Sequence, residues 1–418
     1  MRILFAFVLA AIATSPTDRL AGWRADVDAL LEQIRRQHYV YREKSLPPAL
    51  LQRADWLRRE IPRLSDERML VELLGLMSHL GDGHSYVLPF GSPRVPTRVL
   101  PVRFHLFSDG LYVIDAQRAS ERWIGGRVTG IGRVPIATVL RGLDRYVSRD
   151  NPMGVRWIGP FLLQFRGMLE ALAPGIDPES IALTIRDRSG REQSVVLETV
   201  PAPPIRGVPK LVASRLPGAP PPPLYLENVA SPYWFRDLSE DAAYIQFNQV
   251  VDDPHEPLVS FVRRLQQHLA IRPTVALIVD VRHNNGGHAE LLEPLLDALA
   301  SFDRKPEARL FVLTGRNTFS AAQIFIARVD ARTRAVFAGE PSSSRPNFIG
   351  EENEVVLPWS GARGSISNRY HEQIAGDMRT WIEPDIRVEL SSKDYFANRD
   401  PVLEAVVAEG RRRRPRVP

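Results

Sequence analysis

The sequence predicts a multidomain protein of mixed α/β class: an N-terminal helical region, a β-rich module, and an α/β domain on a largely parallel sheet. Three observations carry this reading. Residues 18–80 repeat apolar positions at helical spacing. Residues 96–200 change to short apolar runs separated by glycine-containing turns. Beyond a proline-rich stretch from Pro201 to Pro223, strand-like and helix-like segments alternate, which is the pattern of a parallel sheet covered by helices. With 418 residues, 44% hydrophobic and 25% charged, the chain has the length for two or three domains and the composition of an ordinary globular protein.

The first segment, residues 1–15, reads MRILFAFVLAAIATS. Arg2, an apolar run from Ile3 to Ala13, and small residues at Ala11, Ala13 and Ser15 form the layout of a secretory signal peptide. The run is too short to span a bilayer, so a secreted or periplasmic protein with no stable membrane anchor after cleavage is expected. The chain has no cysteine, which excludes disulfides, thiolate metal sites and a cysteine nucleophile. A net charge of +5 without a basic face interleaved with aromatics gives no sign of nucleic-acid binding.

Residues 16–95 form the helical region. DRLAGWRADVDALLEQIRRQHY and PALLQRADWLRREI are amphipathic, and Ser65-Asp66-Glu67 opens a third helix that Gly81 ends. Residues 96–205 hold the strands VLPVRFHLF, GLYVIDA and RVTGIG, a helical insert at 152–173 and a hairpin around Ser189-Gly190. Residues 206–410 carry the alternating pattern, from AAYIQFN through TVALIVDVR and RLFVLT to AVFAGE. Residues 411–418, with the run Arg411 to Arg414, read as a solvated basic tail.

Three polar segments interrupt these patterns. In FVLTGRNTFSAAQIFIARV, residues 311–329, a strand runs through a turn into a helix and places Ser320 at the helix start. The unpaired N–H groups and dipole of a first turn stabilise negative charge on a nearby oxygen, as a nucleophilic serine requires. A plain N-cap serine fits the same position. In VALIVDVRHNNGGHAELL, residues 275–292, a buried strand ends at Asp280 and Arg282 before Asn284-Asn285-Gly286-Gly287. Adjacent glycines there suit an oxyanion hole built from the Gly287 or Gly286 amide and the Ala321 amide, or an ordinary βα turn. In LGDGHSYVLP, residues 80–89, the loop holds Asp82, His84 and Ser85, and His84 is a candidate general base. His79, Asp82 and His84 have a passable metal spacing but no accompanying carboxylates, so no metal or other cofactor is expected.

Taken in order, Asp82-Gly83-His84-Ser85, Asp280 to Gly287, and Ser320-Ala321 resemble the motifs of the C-terminal processing (tail-specific) protease family, which includes tricorn-type proteases and interphotoreceptor retinoid-binding proteins. FAGEPSSSRPNFIGE at 337–351 and IEPDIRVEL at 382–390 extend the likeness. The resemblance implies a serine peptidase with a crotonase-like or ClpP-like catalytic domain, with 96–205 as a diverged PDZ-like module. It also implies a polypeptide substrate gripped through an extended C-terminal segment. The family's usual lysine base falls at Arg345, which stays protonated, and Lys44, Lys210, Lys305 and Lys393 match nothing. The resemblance therefore points to the tricorn-type arrangement: Ser320 as nucleophile, His84 as base, and Gly287 and Ala321 amides as oxyanion donors. Ser85 or Asp82 would orient His84. The orienting glutamate of tricorn-type enzymes falls at Met378, with Asp377 and Glu383 as neighbours and His371 as a weaker substitute base. A non-catalytic protein binding peptides or other ligands on the same scaffold is the alternative.

Overall fold

The structure, a computed structural model, describes residues 16–412 except Arg206 and Pro217. The expected signal segment, residues 1–15, lies outside the described residues, as do residues 413–418 of the expected tail. Arg411 and Arg412 belong instead to the last helix, Pro401–Arg412. Among the described residues no helix is long and apolar enough to cross a membrane.

Helices and several separate sheets are mixed along the chain. The first three helices are Pro16–Gln37, Pro48–Glu60 and Asp66–Met77. The third starts cleanly because the Ser65 side chain accepts from Arg68 N, with Asp66 and Glu67 in the positive first turn. Their shared core of Trp23, Leu30, Leu50 and Leu73 also takes in Val355, Leu357 and Ile366 from much later in the chain. Those residues come from a long antiparallel hairpin, Phe348–Val356 against Arg363–His371, which the short strand Tyr86–Val87 joins as a third member. Gly364 is obligatory there, because a Cβ would stand 2.2 Å from the Tyr86 carbonyl oxygen.

The middle sheet runs in the order Val102–Phe107, Gly110–Ala116, Arg127–Ile131, Ser180–Arg186, Glu192–Glu198. The last pair forms the hairpin around Ser189-Gly190. Helices Pro152–Leu162 and Arg166–Leu172 occupy the helical insert. Where the module begins and ends, Arg98–Val99 pairs with Val200–Pro201.

The C-terminal sheet has six strands: Tyr233–Asp237, Ala242–Phe247, Ala276–Asp280, Arg309–Thr314, Val336–Gly339 and Ile386–Arg387. Its first pair is antiparallel and every later pairing is parallel. Leu310 and Val312 pack into one core with Phe261, Leu296 and Phe325 of three helices. Phe311 and Leu313 pack on the opposite face with Val402 and Val406. Burial on both faces explains why RLFVLT lacks the alternation of a half-exposed strand. The carboxyl ends of Ala276–Asp280 and Arg309–Thr314 deliver the two turns that matter below, where open α/β sheets place ligands.

Candidate active site

Ser320 is the residue before helix Ala321–Arg332, yet it does not cap it. Its side chain makes no capping hydrogen bond, and its backbone sits at φ 56°, ψ −126°. A non-glycine residue at positive φ is strained, and such strain persists only where the surroundings impose it. The surroundings are visible. Thr318 N donates to the Gly315 carbonyl and Thr318 Oγ1 to that of Val281, while Phe319 N donates to the Asn284 carbonyl. The Ser320 turn is thus pinned onto the glycine turn beside it.

Asn284 organises that second turn, donating from Nδ2 to the Phe247 carbonyl and accepting at Oδ1 from Gly286 N. The Gly286 amide is therefore spent, and the option of Gly286 as an oxyanion donor falls away. Gly286 serves by its lack of a side chain: a Cβ would lie 2.7 Å from Ser320 Cβ and 3.0 Å from Ala321 N. Gly287, at φ 132°, is held against Val250, whose carbonyl a Cβ would approach to 2.1 Å. Among the described residues no hydrogen bond occupies the N–H of Gly287 or of Ala321. Asp280 and Arg282 have a structural task. Asp280 accepts from Tyr244 OH at 2.6 Å, and Arg282 bridges it to Asp400 from the C-terminal segment.

His84 and Ser320 line one cleft of about 690 Å³, together with Gly287, Ala321, Trp157 and Phe348. The His84 ring is stacked between Phe319 and Phe348, with centroids 4.3 and 5.3 Å away. It is 3% exposed, and neither ring nitrogen makes a well-formed hydrogen bond among the described residues, to Ser320 or any other, although the Ile349 backbone stands close enough to favour the charged ring. Burial pushes its pKa down to about 4, against the opposing pull of the Asp82 charge, so the ring is neutral at ordinary pH.

The orienting candidates are placed otherwise. Asp82 Oδ1 accepts from His84 N, Ser85 N and Ser367 Oγ, and Oδ2 pairs with His38 Nε2 at 3.0 Å. It shapes the loop's backbone and does not touch the His84 ring. Burial works to raise the Asp82 carboxyl, but the bonds from His38 and Ser367 outweigh it and hold it below its ordinary range. Ser85 Oγ donates to Ser367 Oγ. Asp377 is tied to Arg379, and Glu383 to Trp381 and Arg387, both away from the cleft. These four are not brought to the imidazole, because backbone donors and local arginines claim their oxygens first. His371 does reach the cleft, on the far side of Phe348 from His84, with ring centroids of His371 and Phe348 5.1 Å apart. Arg345 is exposed, and its Nε donates to the Asp150 carbonyl outside the cleft.

Three residues escaped the sequence reading. His38 is one. Asp150 and Asn151 are the others. Asp150 Oδ1 accepts from Gly83 N at 2.8 Å, gripping the loop beside His84, and the carboxyl lies buried close to the Ser344 hydroxyl. Burial, then the nearby Asp82 charge, pushes the Asp150 carboxyl up to about 7. Asn151 Nδ2 donates to the carbonyls of Ser342, Ser344 and Thr380. Only the Asn-Pro start of a helix at 151–152 was visible in the sequence; its grip on two distant loops has no local signature. Among the described residues no group of three or more His, Asp or Glu could hold a metal ion.

No protein-family model matches the sequence, and no curated protein does. Among solved structures, mature CPAF matches over 91% of this chain and 94% of its own, at 15% identity and a TM-score of 0.61. Mature CPAF complexed with lactacystin matches over 94% and 98%, at 16% identity and a TM-score of 0.63. A photosystem II D1 C-terminal processing protease aligns over 89% and 94% at 11% identity, with a TM-score of only 0.38. Identities this low speak to the fold alone. The chain thus shares its fold with mature CPAF over nine-tenths of its length.

Proposed function

We propose that the chain is an exported serine-type peptidase that hydrolyses peptide bonds through Ser320 and His84. One observation carries the reading: a serine held at positive φ at a helix start, its hydroxyl free of capping, in the same cleft as a neutral, unpartnered histidine. Strain of that kind presents a nucleophile outward from a strand-to-helix turn. The Ser320 oxygen attacks the scissile carbonyl while His84 takes its proton. The N–H groups of Gly287 and Ala321 receive the developing oxyanion. The C–N bond breaks as His84 returns the proton to the leaving amine, and a water activated by His84 then cleaves the ester. With no carboxylate on the imidazole, orientation comes from the Phe319–His84–Phe348 stack.

In this reading residues 16–95 supply the base loop, 96–205 form a PDZ-like module, and 206–410 form a crotonase-like catalytic domain. The module would hold the substrate's C-terminal segment as an added strand along Glu192–Glu198, which ends its sheet. A serine-reactive phosphonate tests the chemistry. Labelling of the intact chain, lost in Ser320→Ala and reduced in His84→Ala, is the expected result. Labelling that persists in Ser320→Ala, or never occurs, would return the chain to the class of non-catalytic binding proteins.

A further inference from the structure

The cleft is chemically two-sided in a way that catalysis alone does not require. Its floor is apolar, built by Leu74, Phe90, Val147, Trp157, Phe161 and Leu162 from the helical region and the middle module. Its charged lining is wholly acidic: Glu290, Glu351 and Glu352. Neither lysine nor arginine lines it among the described residues, although the chain carries 54 basic against 49 acidic residues.

One of those glutamates is held in place at a cost to the chain. Glu351 lies within strand Phe348–Val356 at φ 63°, and besides Ser320 it is the only described residue other than glycine and asparagine at positive φ. Its carboxylate is half-exposed, with His371 Nε2 at 3.6 Å and Arg369 at 3.7 Å as distant company. Glu352 is exposed at the rim of the cleft, with Tyr86 OH at 3.4 Å, and its crowded surroundings hold its carboxyl above the usual range. The cleft also presents buried polar atoms with no protein partner, both nitrogens of His84 and Trp157 Nε1.

We infer that the cleft takes a polypeptide that seats a bulky apolar side chain on the Trp157–Phe161 floor and sets an adjacent lysine or arginine against Glu351 and Glu352. The inference rests on reading the cleft as a polypeptide site, and it adds the sequence class. An apolar pocket contributes affinity with little discrimination by charge, whereas carboxylates at its rim favour a cation and disfavour an anion.

Binding to Ser320→Ala protein, read by fluorescence polarisation, tests this apart from turnover. Three labelled peptides suffice: one with Leu-Lys at its centre, one with Leu-Glu, one with Ser-Lys. The Leu-Lys peptide is expected to bind about tenfold tighter than Leu-Glu, with the margin shrinking as salt is raised. Glu351→Gln combined with Glu352→Gln should remove most of that margin while leaving the Leu-Lys over Ser-Lys preference. Since glutamine is nearly isosteric, phosphonate labelling of the same pair of substitutions on the Ser320 background reports an intact cleft. Equal binding of Leu-Lys and Leu-Glu, or a charge margin unmoved by the two substitutions, overturns the inference. If the charge preference is found but Ser320 never labels, the peptidase reading fails and this one stands. If labelling succeeds without a charge preference, the reverse holds.

Discussion

His38 is fully buried and its ring is fully used: Nε2 pairs with Asp82, and Nδ1 accepts the N–H of Val40. His84, two residues beyond the same aspartate, is 3% exposed and makes no well-formed hydrogen bond from either nitrogen. The first pattern is that of a structural histidine, whose tautomer is fixed because Nδ1 accepts and Nε2 must donate. The second carries the penalty of two unmet polar atoms, which a fold keeps only where something else needs them. Asp82 separates the two: it binds one ring and only the backbone of the other.

Substitution should therefore affect the two histidines in opposite ways. The largest effect expected is on catalysis in His84→Phe. A third phenyl ring fits between Phe319 and Phe348, so the melting temperature should hold or rise while kcat/KM falls by about 10²–10⁴-fold. A matching loss of stability would show that the ring's nitrogens are structurally engaged. His38→Ala should do the reverse, leaving Asp82 buried without its partner at a cost of about 3–5 kcal/mol by denaturant unfolding. Next comes Gly286→Ala, whose new methyl meets Ser320 Cβ at 2.7 Å and should cost about 1–3 kcal/mol together with most phosphonate labelling.

Asp150→Asn sharpens the comparison through pH. The native carboxyl titrates near 7 when folded against an ordinary value of 3.8, so between them the folded chain holds the extra proton. Stability contributed by that proton is present at low pH and is lost as pH rises through about 7. His84 acts with the opposite sign: its folded pKa of about 4 lies below 6.5, so stability is lost as pH falls through that window. Melting curves across this range should show a smaller loss toward neutral pH in Asp150→Asn than in the native chain. An unchanged profile would place the Asp150 carboxyl in water. The smallest effect is expected for Arg345→Lys, within about 0.5 kcal/mol and without change in labelling, because the side chain stands outside the cleft.

How far the sequence could be read follows from the range of the interactions involved. Mixed helix and sheet, and the strand-to-helix turn at Ser320, were legible because periodicity and turn residues act over a few positions. The hairpin Phe348–Val356 with Arg363–His371 was not: FIGEENEVV puts charges where strand alternation would put apolar residues, since one edge faces the cleft and solvent. The strain at Ser320 was equally invisible, as a serine before a helix reads first as a cap. Ser85 or Asp82 is the expected orienter of the His84 ring; Asp82 instead binds the backbone of its loop, and its second oxygen is taken by His38, 44 positions earlier in the chain.

The pairing of Arg98–Val99 with Val200–Pro201 means that the intervening chain leaves and returns at one place. Such a segment resembles a cassette, replaceable in principle by a short bridge without moving what flanks it. Yet Asp150 and Asn151 sit inside the cassette and hold both the His84 loop and the 342–344 segment. Exchange of this segment between related chains would thus carry the latch of the His84 loop along with it. A graft lacking that Asp-Asn pair would keep its Ser320 turn and lose the grip on the loop of His84.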